Sequence, residues 1–403
     1  MSLNTTSSGE RLHIAFFGRR NAGKSSLVNA VTGQELSVVS DVKGTTTDPV
    51  KKAMELLPIG PVMIIDTPGF DDEGALGELR VKKTKQILAQ TDIAVLVVDA
   101  AVGITADEEA MIALFDERKL PYVTVYSKAD LTDAVPAEGE RIITVSAKTG
   151  TGIHELKELL GKIGSSVQTK KFILADLVQE GDTVVLVMPI DEAAPKGRII
   201  LPQQMVLREL LDCHCTAVCC QDTELKNTLA ALAKPPKLVI TDSQAFGKVA
   251  KDVPHGVMLT SFSILMARYK GELNTLVEGA AMLAKLEDGD KVLISEGCTH
   301  HRQCGDIGSV KLPAWIRKFT GKNPDFSFTS GGEFPDDLSA YKLVVHCGGC
   351  MLNEAEMKSR IGRTAASGVP IVNYGVAIAH LHGILRQSLA PFPDTAAVLE
   401  ADK

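Results

Sequence analysis

Short apolar runs alternate along the chain with longer segments of helical spacing. In the first 165 residues the apolar runs are His13–Phe17, Val62–Asp66, Ile93–Asp99 and Tyr122–Val125. An apolar run of this length, bounded by turn residues, is typical of a buried strand. Strands that alternate with helices predict a parallel sheet covered by helices, so we expect an α/β domain in the N-terminal part of the chain.

The same alternation continues through the rest of the chain. The further strands that we predict are Val184–Val187, Thr216–Cys220, Leu238–Thr241, Val257–Leu259, Lys291–Ser295, Phe326–Thr329, Tyr341–Val345 and Pro370–Asn373. The fold class is therefore expected to be α/β, in a chain of three domains. An N-terminal domain (residues 1–165) is followed by two smaller α/β units (166–262 and 263–403) whose sheets are mostly parallel.

Two segments near the domain boundaries carry expectations of their own. Residues 161–171 (GKIGSSVQTKK) are small and polar and contain glycine, a composition that favours a linker. Residues 263–286 have continuous helical spacing, which predicts a long helix that carries the last unit.

Composition narrows the classes of function without choosing one. The chain has 403 residues, a net charge of −7 and only 4% aromatic residues, so it lacks the basic, base-stacking surface typical of nucleic-acid-binding proteins. Its first residues lack a signal-peptide pattern, and no apolar run approaches the ~20 residues needed to span a bilayer. We therefore expect a cytoplasmic protein that binds neither nucleic acid nor membrane. In a reducing compartment its eight cysteines are expected to be ligands, catalytic groups or buried thiols rather than disulfides.

The clearest motif is GRRNAGKSS at residues 18–26, between the first predicted strand and a helix. It has the form G-x-x-x-x-G-K-S, whose backbone N–H groups wrap nucleotide phosphates. The lysine of such a loop reaches the β and γ oxygens, and the serine hydroxyl binds Mg²⁺. We therefore expect Lys24 to act in catalysis and Ser25 to bind Mg²⁺. The expected phosphate-binding residues are Asn21, Ala22, Gly23, Lys24, Ser25 and Ser26.

Two further segments complete the expected phosphate site. The motif DTPG, at residues 66–69, follows an apolar run and places Asp66 to reach the water shell of Mg²⁺. The N–H of Gly69 is available to the γ-phosphate. The polar loop KGTTTD at 43–48 contains Thr46, which we choose as the hydroxyl that closes on Mg²⁺ when the γ-phosphate is present. Thr46 and Gly69 thus join Lys24 as expected catalytic residues.

Two loops are expected to select guanine. Asp130, in SKAD, can accept two hydrogen bonds from the N1–H and the exocyclic amine of guanine, a pair that adenine does not offer. Lys128 would lie along the plane of the base. The segment Ser146, Ala147 and Lys148 would supply a backbone N–H to guanine O6, and we choose that of Ala147. Each loop alone is a common sequence, but five such elements in order are specific for a GTPase.

Residues 11–163 resemble the Era/TrmE class of small GTPases, with all five motifs present. Ser127 stands where asparagine is usual in N-K-x-D, and we expect it to lose one bond that orients the base pocket. Phe70 stands where Ras-like proteins carry a water-orienting glutamine. The resemblance implies that Asn21 binds K⁺, whose charge replaces an arginine finger. We therefore expect slow, K⁺-stimulated hydrolysis of GTP to GDP and phosphate.

A second candidate site lies in the C-terminal unit. Cys347 and Cys350, in HCGGC, and Cys298, in SEGCTHH, each follow a predicted strand. Because the carboxyl ends of parallel strands share one edge of a sheet, we expect these thiols to meet there. Three thiolates favour Zn²⁺ or an iron–sulfur cluster, and the spacing alone does not decide between them. The candidates for a fourth ligand are His300, His346 and Cys304.

The pattern C-T-H followed by H-C-G-G-C resembles the signature of the HydF family of [FeFe]-hydrogenase maturation GTPases, and the domain order matches that family along nearly the whole chain. The resemblance implies a [4Fe–4S] cluster on Cys298, Cys347 and Cys350, with His300 and His346 as fourth ligands or supporting donors. It also implies that residues 263–403 bind this cluster.

The resemblance carries a function with it. A protein of this family would be a scaffold that receives a transient diiron precursor from the radical-SAM maturases HydE and HydG. It would deliver that precursor to apo-[FeFe]-hydrogenase, with GTP as a switch. The unit at 166–262 has a predicted sheet and no catalytic residues, so we expect it to form a homodimer.

Other interpretations share some of these residues. An Era/TrmE-like GTPase of RNA modification or ribosome assembly would carry a basic RNA-binding module, and a zinc-regulated GTPase would differ in the metal.

The cysteine-dense CHCTAVCC at 213–220 is another candidate metal site. A straight strand cannot curl around one ion, however, so we expect the thiols at 213, 215 and 219 to pack in the core.

Overall fold

The structure is a computed structural model that describes residues 6–33, 49–69, 83–132, 139–167, 171–190, 199–297 and 306–401. The chain divides into two compact units, residues 1–170 and 171–403. The boundary that we expect near residue 262 lies inside the second unit and stays a prediction.

The described residues of the first unit form one sheet with helices. The strands are β1 (Leu12–Phe17), β2 (Val50–Leu56), β3 (Gly60–Asp66), β4 (Ile93–Asp99), β5 (Tyr122–Ser127) and β6 (Ile142–Thr144). The helices are α1 (Lys24–Thr32), α2 (83–89), α3 (Ala106–Glu117) and α4 (Ile153–Val167). The strand order is β2-β3-β1-β4-β5-β6, and only the β2/β3 pair is antiparallel.

The strands of this sheet are apolar throughout because both faces are covered. In β1, Ile14 and Phe16 pack in one core, while Ala15 and Phe17 pack in a second core on the other face. Continuous apolar runs are typical of such doubly covered parallel strands. The carboxyl ends of β1, β3, β4, β5 and β6 therefore share one edge of the sheet.

Residues 161–167 belong to α4, so the predicted linker is wrong over this range. The glycines of this range, Gly161 and Gly164, allow close packing. A Cβ atom on Gly161 would lie 2.7 Å from the ring of Pro58, and one on Gly164 would lie 3.2 Å from Leu12. The end of α4 has the composition of a linker because only glycine lets the helix approach Pro58 and Leu12 this closely.

The described residues of the second unit form two sheets with helices. Its strands are β7 (Thr183–Val187), β8 (Thr216–Cys220), β9 (Leu238–Thr241), β10 (Met258–Ser261), β11 (Lys291–Glu296), β12 (Asp325–Ser330), β13 (Leu343–His346) and β14 (Ile371–Asn373). Its helices are α5 (Leu201–Asp212), α6 (Leu225–Ala231), α7 (Phe246–Asp252), α8 (Phe262–Lys270), α9 (Leu273–Ala280), α10 (Leu312–Thr320), α11 (Glu354–Ala366), α12 (Tyr374–Leu381), α13 (Leu385–Ser388) and α14 (Pro393–Ala401).

Both sheets are parallel throughout the described residues. Their strand orders are β10-β9-β7-β8 and β12-β11-β13-β14. The predicted fold class is therefore confirmed. The two sheets share one continuous apolar core, which includes Val185, Ile240, Ile294 and Val345. Among the described residues, the helices are all too short or too polar to cross a bilayer.

The predicted long helix at 263–286 is wrong. The segment is instead α8, α9 and a 3-10 turn at Ala281–Lys285. The break falls at Gly271, where a Cβ atom would lie 3.0 Å from the carbonyl oxygen of Ala267 and 3.1 Å from Ile361. Glycine is a poor helix former, and the break allows each helix to turn its own apolar residues into the core.

The cysteines at 213–220 are less uniform than we predicted. Cys213 ends α5 and is half-buried, and Cys215 is buried, but Cys219 is exposed. The prediction of one buried cysteine face is therefore wrong for Cys219. The reason is that β8 is the edge strand of its sheet, where burial is incomplete.

The packing of α9 on β14 generates a stability prediction. A Cβ atom on Gly279 would lie 1.9 Å from the carbonyl oxygen of Ile371, so Gly279→Ala must displace backbone. We expect this substitution to lower the free energy of unfolding of the second unit by about 3 kcal/mol. The measurement is urea unfolding followed by fluorescence of Trp315, the one tryptophan of the chain.

Gly362→Ala is the matched control, because Gly362 lies in α11 with nothing within 4 Å of an added Cβ atom. Removing a helical glycine should raise the free energy of unfolding by about 0.5–1 kcal/mol. Equal effects of the two substitutions would contradict the packing of α9.

Candidate functional site

The glycine-rich loop between β1 and α1 has the conformation of a phosphate-binding loop. Gly18 and Gly23 have φ angles of 155° and 90°, and Asn21 has a φ angle of 58°. The ammonium group of Lys24 donates to the carbonyl oxygens of Gly18 at 2.8 Å and of Arg19 at 2.6 Å. Lys24 is thus held under the loop whose N–H groups would face nucleotide phosphates.

Ser25 and Asp66 come together at the carboxyl ends of β1 and β3. The Ser25 hydroxyl donates to Oδ2 of Asp66 at 2.8 Å. The other oxygen, Oδ1, is buried and has no hydrogen-bond partner in the described part of the chain. A buried acceptor without a partner costs about 1–3 kcal/mol, and a metal-bound water would satisfy it. The pair therefore fits Mg²⁺, whereas Thr46 lies outside the described residues.

The end of the DTPG motif is described only as far as Gly69, whose expected role is to bind the γ-phosphate. The Thr67 hydroxyl donates to the carbonyl oxygen of Phe16 at 2.7 Å, which ties the motif to the end of β1. Gly69 is the last described residue of this segment. Phe70 lies outside the described residues.

The residues that we expect to recognise the base lie together after β5 and β6. The Ser146 hydroxyl donates to Oδ1 of Asp130 at 2.7 Å. This hydrogen bond is the main cause that lowers the pKa of Asp130, and the charge of Lys148 acts in the same direction. Asp130 therefore stays ionised as an acceptor for two N–H groups of guanine. Ala147, whose N–H we expect to meet guanine O6, stands between Ser146 and Lys148.

The loss of a base-pocket bond at Ser127 stays a prediction, but the Ser127 side chain does reach the phosphate-binding loop. Its hydroxyl lies 2.5 Å from the carbonyl oxygen of Ala22, in the phosphate-binding loop. The neighbouring Lys128 has a φ angle of 59°, and its ammonium donates to Asp99 at 2.7 Å. The base loop and the phosphate loop are therefore joined directly, although the side chain at 127 is short.

The cysteine motif lies where β11 and β13 end side by side. The N–H of Gly297 donates to Sγ of Cys347 at 3.0 Å, and the N–H of Gly349 approaches the same sulfur at 3.4 Å. The N–H of Cys347 donates to the carbonyl oxygen of Ser295 at 2.9 Å. Backbone N–H groups directed at a cysteine sulfur stabilise a thiolate and are typical of iron–sulfur ligation. This arrangement fits a cluster ligand at Cys347.

The Cys347 thiol is protonated at neutral pH in this arrangement. Although the residue keeps some exposed surface, burial of its sulfur raises the pKa of the thiol to about 11, against the two N–H groups that lower it. Metal ligation requires the thiolate, so metal binding here would release a proton.

Cys350 is placed by a buried cation. Lys270, the last residue of α8, is 2% exposed, and its ammonium donates to the carbonyl oxygens of Cys350 at 3.1 Å and of Leu352 at 2.7 Å. The side chain of Asn353 then caps α11 by accepting from the N–H of Glu356. The cysteine loop is therefore fixed where it leads into α11.

His346 is buried beneath the loop. Its Nδ1 lies 2.8 Å from the carbonyl oxygen of Cys347, and its Nε2 lies 3.1 Å from Nη1 of Arg360. Burial and the charge of Arg360 lower the pKa of His346 to about 3, so the imidazole is neutral. These contacts require the proton on Nδ1. With both nitrogens engaged, His346 fits the role of a supporting residue better than that of a metal ligand.

Arg360 joins the ends of several strands. It is fully buried and donates to the carbonyl oxygen of Gly331 at 2.6 Å and to Glu356 at 2.5 Å. Its Nη1 also lies 3.4 Å from the Ser295 hydroxyl, at the end of β11. The guanidinium thus ties α11 to the same edge as the cysteine motif.

The remaining cluster candidates fall outside the described residues, namely Cys298, His300 and Cys304. Within the part of the chain that the structure describes, three or more His, Cys, Asp or Glu side chains do not come together in a metal-binding group. The convergence of all three thiols therefore stays a prediction.

Sequence reasoning missed three residues that shape these sites: Asp99, Lys270 and Arg360. Each acts on a group that is distant in sequence, and hydrophobic spacing carries no signal for such contacts. In the sequence, Lys270 looks like an ordinary basic residue in the last turn of a helix, as does Arg268.

Comparison with known families gives three matches. Residues 173–271 match a family profile described as the hydrogen maturase F dimerization domain, and residues 274–391 match the hydrogen maturase F tetramerization domain. Residues 13–128 match a profile described as a 50S ribosome-binding GTPase. The first unit therefore contains a GTPase domain. The two other profiles indicate self-association.

Two individual relatives match about two fifths of this chain. The tRNA modification GTPase MnmE of Laribacter hongkongensis (strain HLHK9) is 34% identical over 172 residues, which cover 41% of this chain and 38% of that protein. MnmE of Aquifex aeolicus (strain VF5) is 34% identical over 165 residues, which cover 40% of this chain and 36% of that protein. The chain thus spans less than two fifths of the length of these relatives.

Among solved structures, Era of Aquifex aeolicus is 19% identical, with a TM-score of 0.34, and covers 60% of this chain and 97% of its own.

The two hydrogen maturase F profiles together match more than half of the 403 residues, downstream of a GTPase domain. The chain therefore belongs to the hydrogen maturase F family.

Proposed function

We propose that this protein is a GTP-hydrolysing scaffold that binds a [4Fe–4S] cluster through Cys298, Cys347 and Cys350. It would assemble a diiron precursor of the hydrogenase active site and deliver it to apo-[FeFe]-hydrogenase. The observation that carries the proposal is the hydrogen bond from Gly297 N–H to Sγ of Cys347, at 3.0 Å. It brings two cysteine-bearing segments of the sequence to one point.

Cys298 follows Gly297 directly in the sequence. Consecutive Cα atoms are about 3.8 Å apart, so a residue next to Gly297 is within reach of a cluster that includes the Cys347 sulfur. The same sulfur already receives two backbone N–H groups. These features support a shared site for the three thiolates, with the carboxyl ends of β11 and β13 as its floor.

Three protein thiolates would leave one iron of the cluster with a replaceable fourth ligand, where a further metal unit can dock and leave. His346 is engaged at both nitrogens, by Arg360 and by the backbone. We therefore assign it a supporting role and retain His300 as the candidate fourth ligand.

The GTPase domain would act as a switch. In GTPases of this kind the bound γ-phosphate and Mg²⁺ order loops that loosen after hydrolysis. The loops concerned here would contain Thr46 and Gly69. We propose that the nucleotide state governs association with the apo-hydrogenase and with the radical-SAM maturases HydE and HydG, in the cytoplasm.

Self-association is part of the proposal. The matched dimerization and tetramerization profiles support it, and we propose a homodimer built on residues 173–271 as the basic assembly. The tetramerization profile covers both Cys347 and Cys350, so further association would involve the segment that carries the cluster.

An RNA-directed GTPase is the main alternative, and it has less support. The similarity to MnmE covers 41% of the chain and ends with the GTPase domain. A zinc-regulated GTPase remains distinguishable by metal analysis. One zinc and no sulfide in anaerobically purified protein would favour it and end the scaffold proposal.

The cluster site is tested with Cys298→Ala in the full chain. After anaerobic reconstitution with iron and sulfide, we expect wild-type protein to hold about four irons and to give the electron paramagnetic resonance signal of a reduced [4Fe–4S] cluster. Cys298→Ala should lose both, because two thiolates do not retain the cluster. GTP turnover should stay within about twofold of wild type, since the GTPase residues lie in a separate unit.

Cys219→Ala is the matched control, because Cys219 is an exposed cysteine in β8 of the same unit. It should keep the wild-type iron content. Full iron binding by Cys298→Ala, or loss of iron in both variants, would contradict the ligand set.

The potassium site is tested with Asn21→Ala. We expect wild-type hydrolysis to be faster in K⁺ than in Na⁺, because K⁺ would supply positive charge at the β–γ bridge. Asn21→Ala removes the proposed ligand and should bring the ratio of the two rates to about one. Steady-state phosphate release in matched K⁺ and Na⁺ buffers measures the ratio.

Asn227→Ala, at an exposed position of α6, should leave the ratio unchanged. A K⁺ preference that survives in Asn21→Ala would rule out the assignment of Asn21.

A further inference from the structure

Lys270 connects two segments that belong to different family profiles. It is the last residue of α8 and lies within the dimerization match at residues 173–271. Its ammonium reaches the cysteine loop, which lies within the tetramerization match at residues 274–391. The contacts are with the carbonyl oxygens of Cys350, at 3.1 Å, and of Leu352, at 2.7 Å.

The burial of this side chain is unusual for a lysine. Lys270 is 2% exposed, and the cost of burying an ammonium group is several kcal/mol before its contacts are counted. Hydrogen bonds to two carbonyl oxygens recover part of that cost. An uncharged side chain of similar volume, such as methionine, would avoid the cost altogether. Methionine could not donate to these two oxygens, so the hydrogen bonds are what a lysine contributes at this place.

The two hydrogen bonds of Lys270 hold the backbone of the cysteine loop. A lysine that donates to two carbonyl oxygens on either side of Met351 fixes how the backbone leaves Cys350. On the other side of the loop, Gly349 packs against Met357 of α11, where an added Cβ atom would lie 2.6 Å from its sulfur. The loop is thus held between α8 and α11, and the direction of the Cys350 side chain follows from its backbone.

The charge itself lies close to the proposed cluster. The carbonyl oxygen and the sulfur of one cysteine are at most about 5 Å apart, so the ammonium is within roughly 8 Å of the Cys350 sulfur. A [4Fe–4S] cluster with three thiolate ligands is anionic. A buried positive charge at that distance favours the more negative, reduced state of such a cluster.

We propose that Lys270 is a positioning residue for the iron–sulfur site, which fixes the Cys350 backbone and sets a positive charge beside the cluster. The inference rests on the proposed function, because it takes the cluster as the group that Cys350 holds. It adds a residue from α8, outside the cysteine motif, to the machinery that retains the cluster and tunes its potential.

The test compares Lys270→Met and Lys270→Arg in the full chain after anaerobic reconstitution. Lys270→Met should lose iron to a chelator about tenfold faster than wild type, in the range typical for groups that support metal ligands. Its midpoint potential should shift to more negative values because the charge is gone. Lys270→Arg keeps the charge and should hold a potential close to that of wild type.

Lys248→Met is the matched control, because Lys248 forms an exposed ion pair with Asp222 in the same unit. It should behave as wild type in both measurements. If Lys270→Met fails to fold, Lys270→Gln takes its place, since glutamine keeps an N–H donor but removes the charge. Lys270→Gln should also shift the potential to more negative values, and a wild-type potential in this variant would overturn the proposal.

A second measurement uses metal-free protein, so that it does not depend on the cluster. The rate of alkylation of Cys350, followed by peptide mass spectrometry, should rise several-fold in Lys270→Met because the loop is released. If reconstituted wild-type protein holds no iron, the proposed function is refuted. The alkylation rate of Cys350 would still test whether Lys270 positions the cysteine loop. Labelling and iron release at wild-type rates in folded Lys270→Met would overturn the role of Lys270.

Discussion

The parallel pairing of β11 with β13 is the constraint on which the proposed site depends. Ser295 stands opposite His346 in this register, so the two strands end together. The N–H of Gly297 then meets the sulfur of Cys347, across 50 residues of sequence. A shift of one residue would turn each side chain to the other face of the sheet. The contact between Gly297 and Cys347 is therefore a consequence of strand register.

The same rule organises the GTPase domain. The expected phosphate loop follows β1, Asp66 ends β3, and the residues expected to recognise guanine follow β5 and β6, so one sheet edge gathers them. Hydrogen bonds then join these loops, as between Ser25 and Asp66 and between Asp130 and Ser146. In each unit the candidate site residues thus lie at the carboxyl edge of a parallel sheet, which is where ligands bind in open α/β folds.

Sequence alone was a good guide to the strands, because buried parallel strands are continuous apolar runs. The run Tyr341–Val345, for example, predicted β13, which the structure has at Leu343–His346. Glycine was a poor guide where it allowed close packing. Gly161 made the end of α4 look like a linker, although its missing side chain is what lets α4 approach Pro58.

The candidate sites divide in the same way. Motif spacing was enough to choose Lys24, Ser25 and Asp130 as candidates, since each stands at a fixed place after a strand, and their roles stay predictions. It could not predict Lys270 or Arg360, because their contacts with the cysteine loop follow from tertiary packing. The Ser127 contact with Ala22 was also beyond it, since the length of a side chain does not tell whether its hydroxyl has an acceptor within reach.

The central claim is that three distant thiols share one iron–sulfur cluster. Anomalous diffraction at the iron edge, from crystals of anaerobically reconstituted protein, tests it most directly. The account predicts a four-iron peak within bonding distance of the sulfurs of Cys298, Cys347 and Cys350, with one iron free of cysteine. A single zinc peak at this place, or iron bound without Cys298, would contradict it.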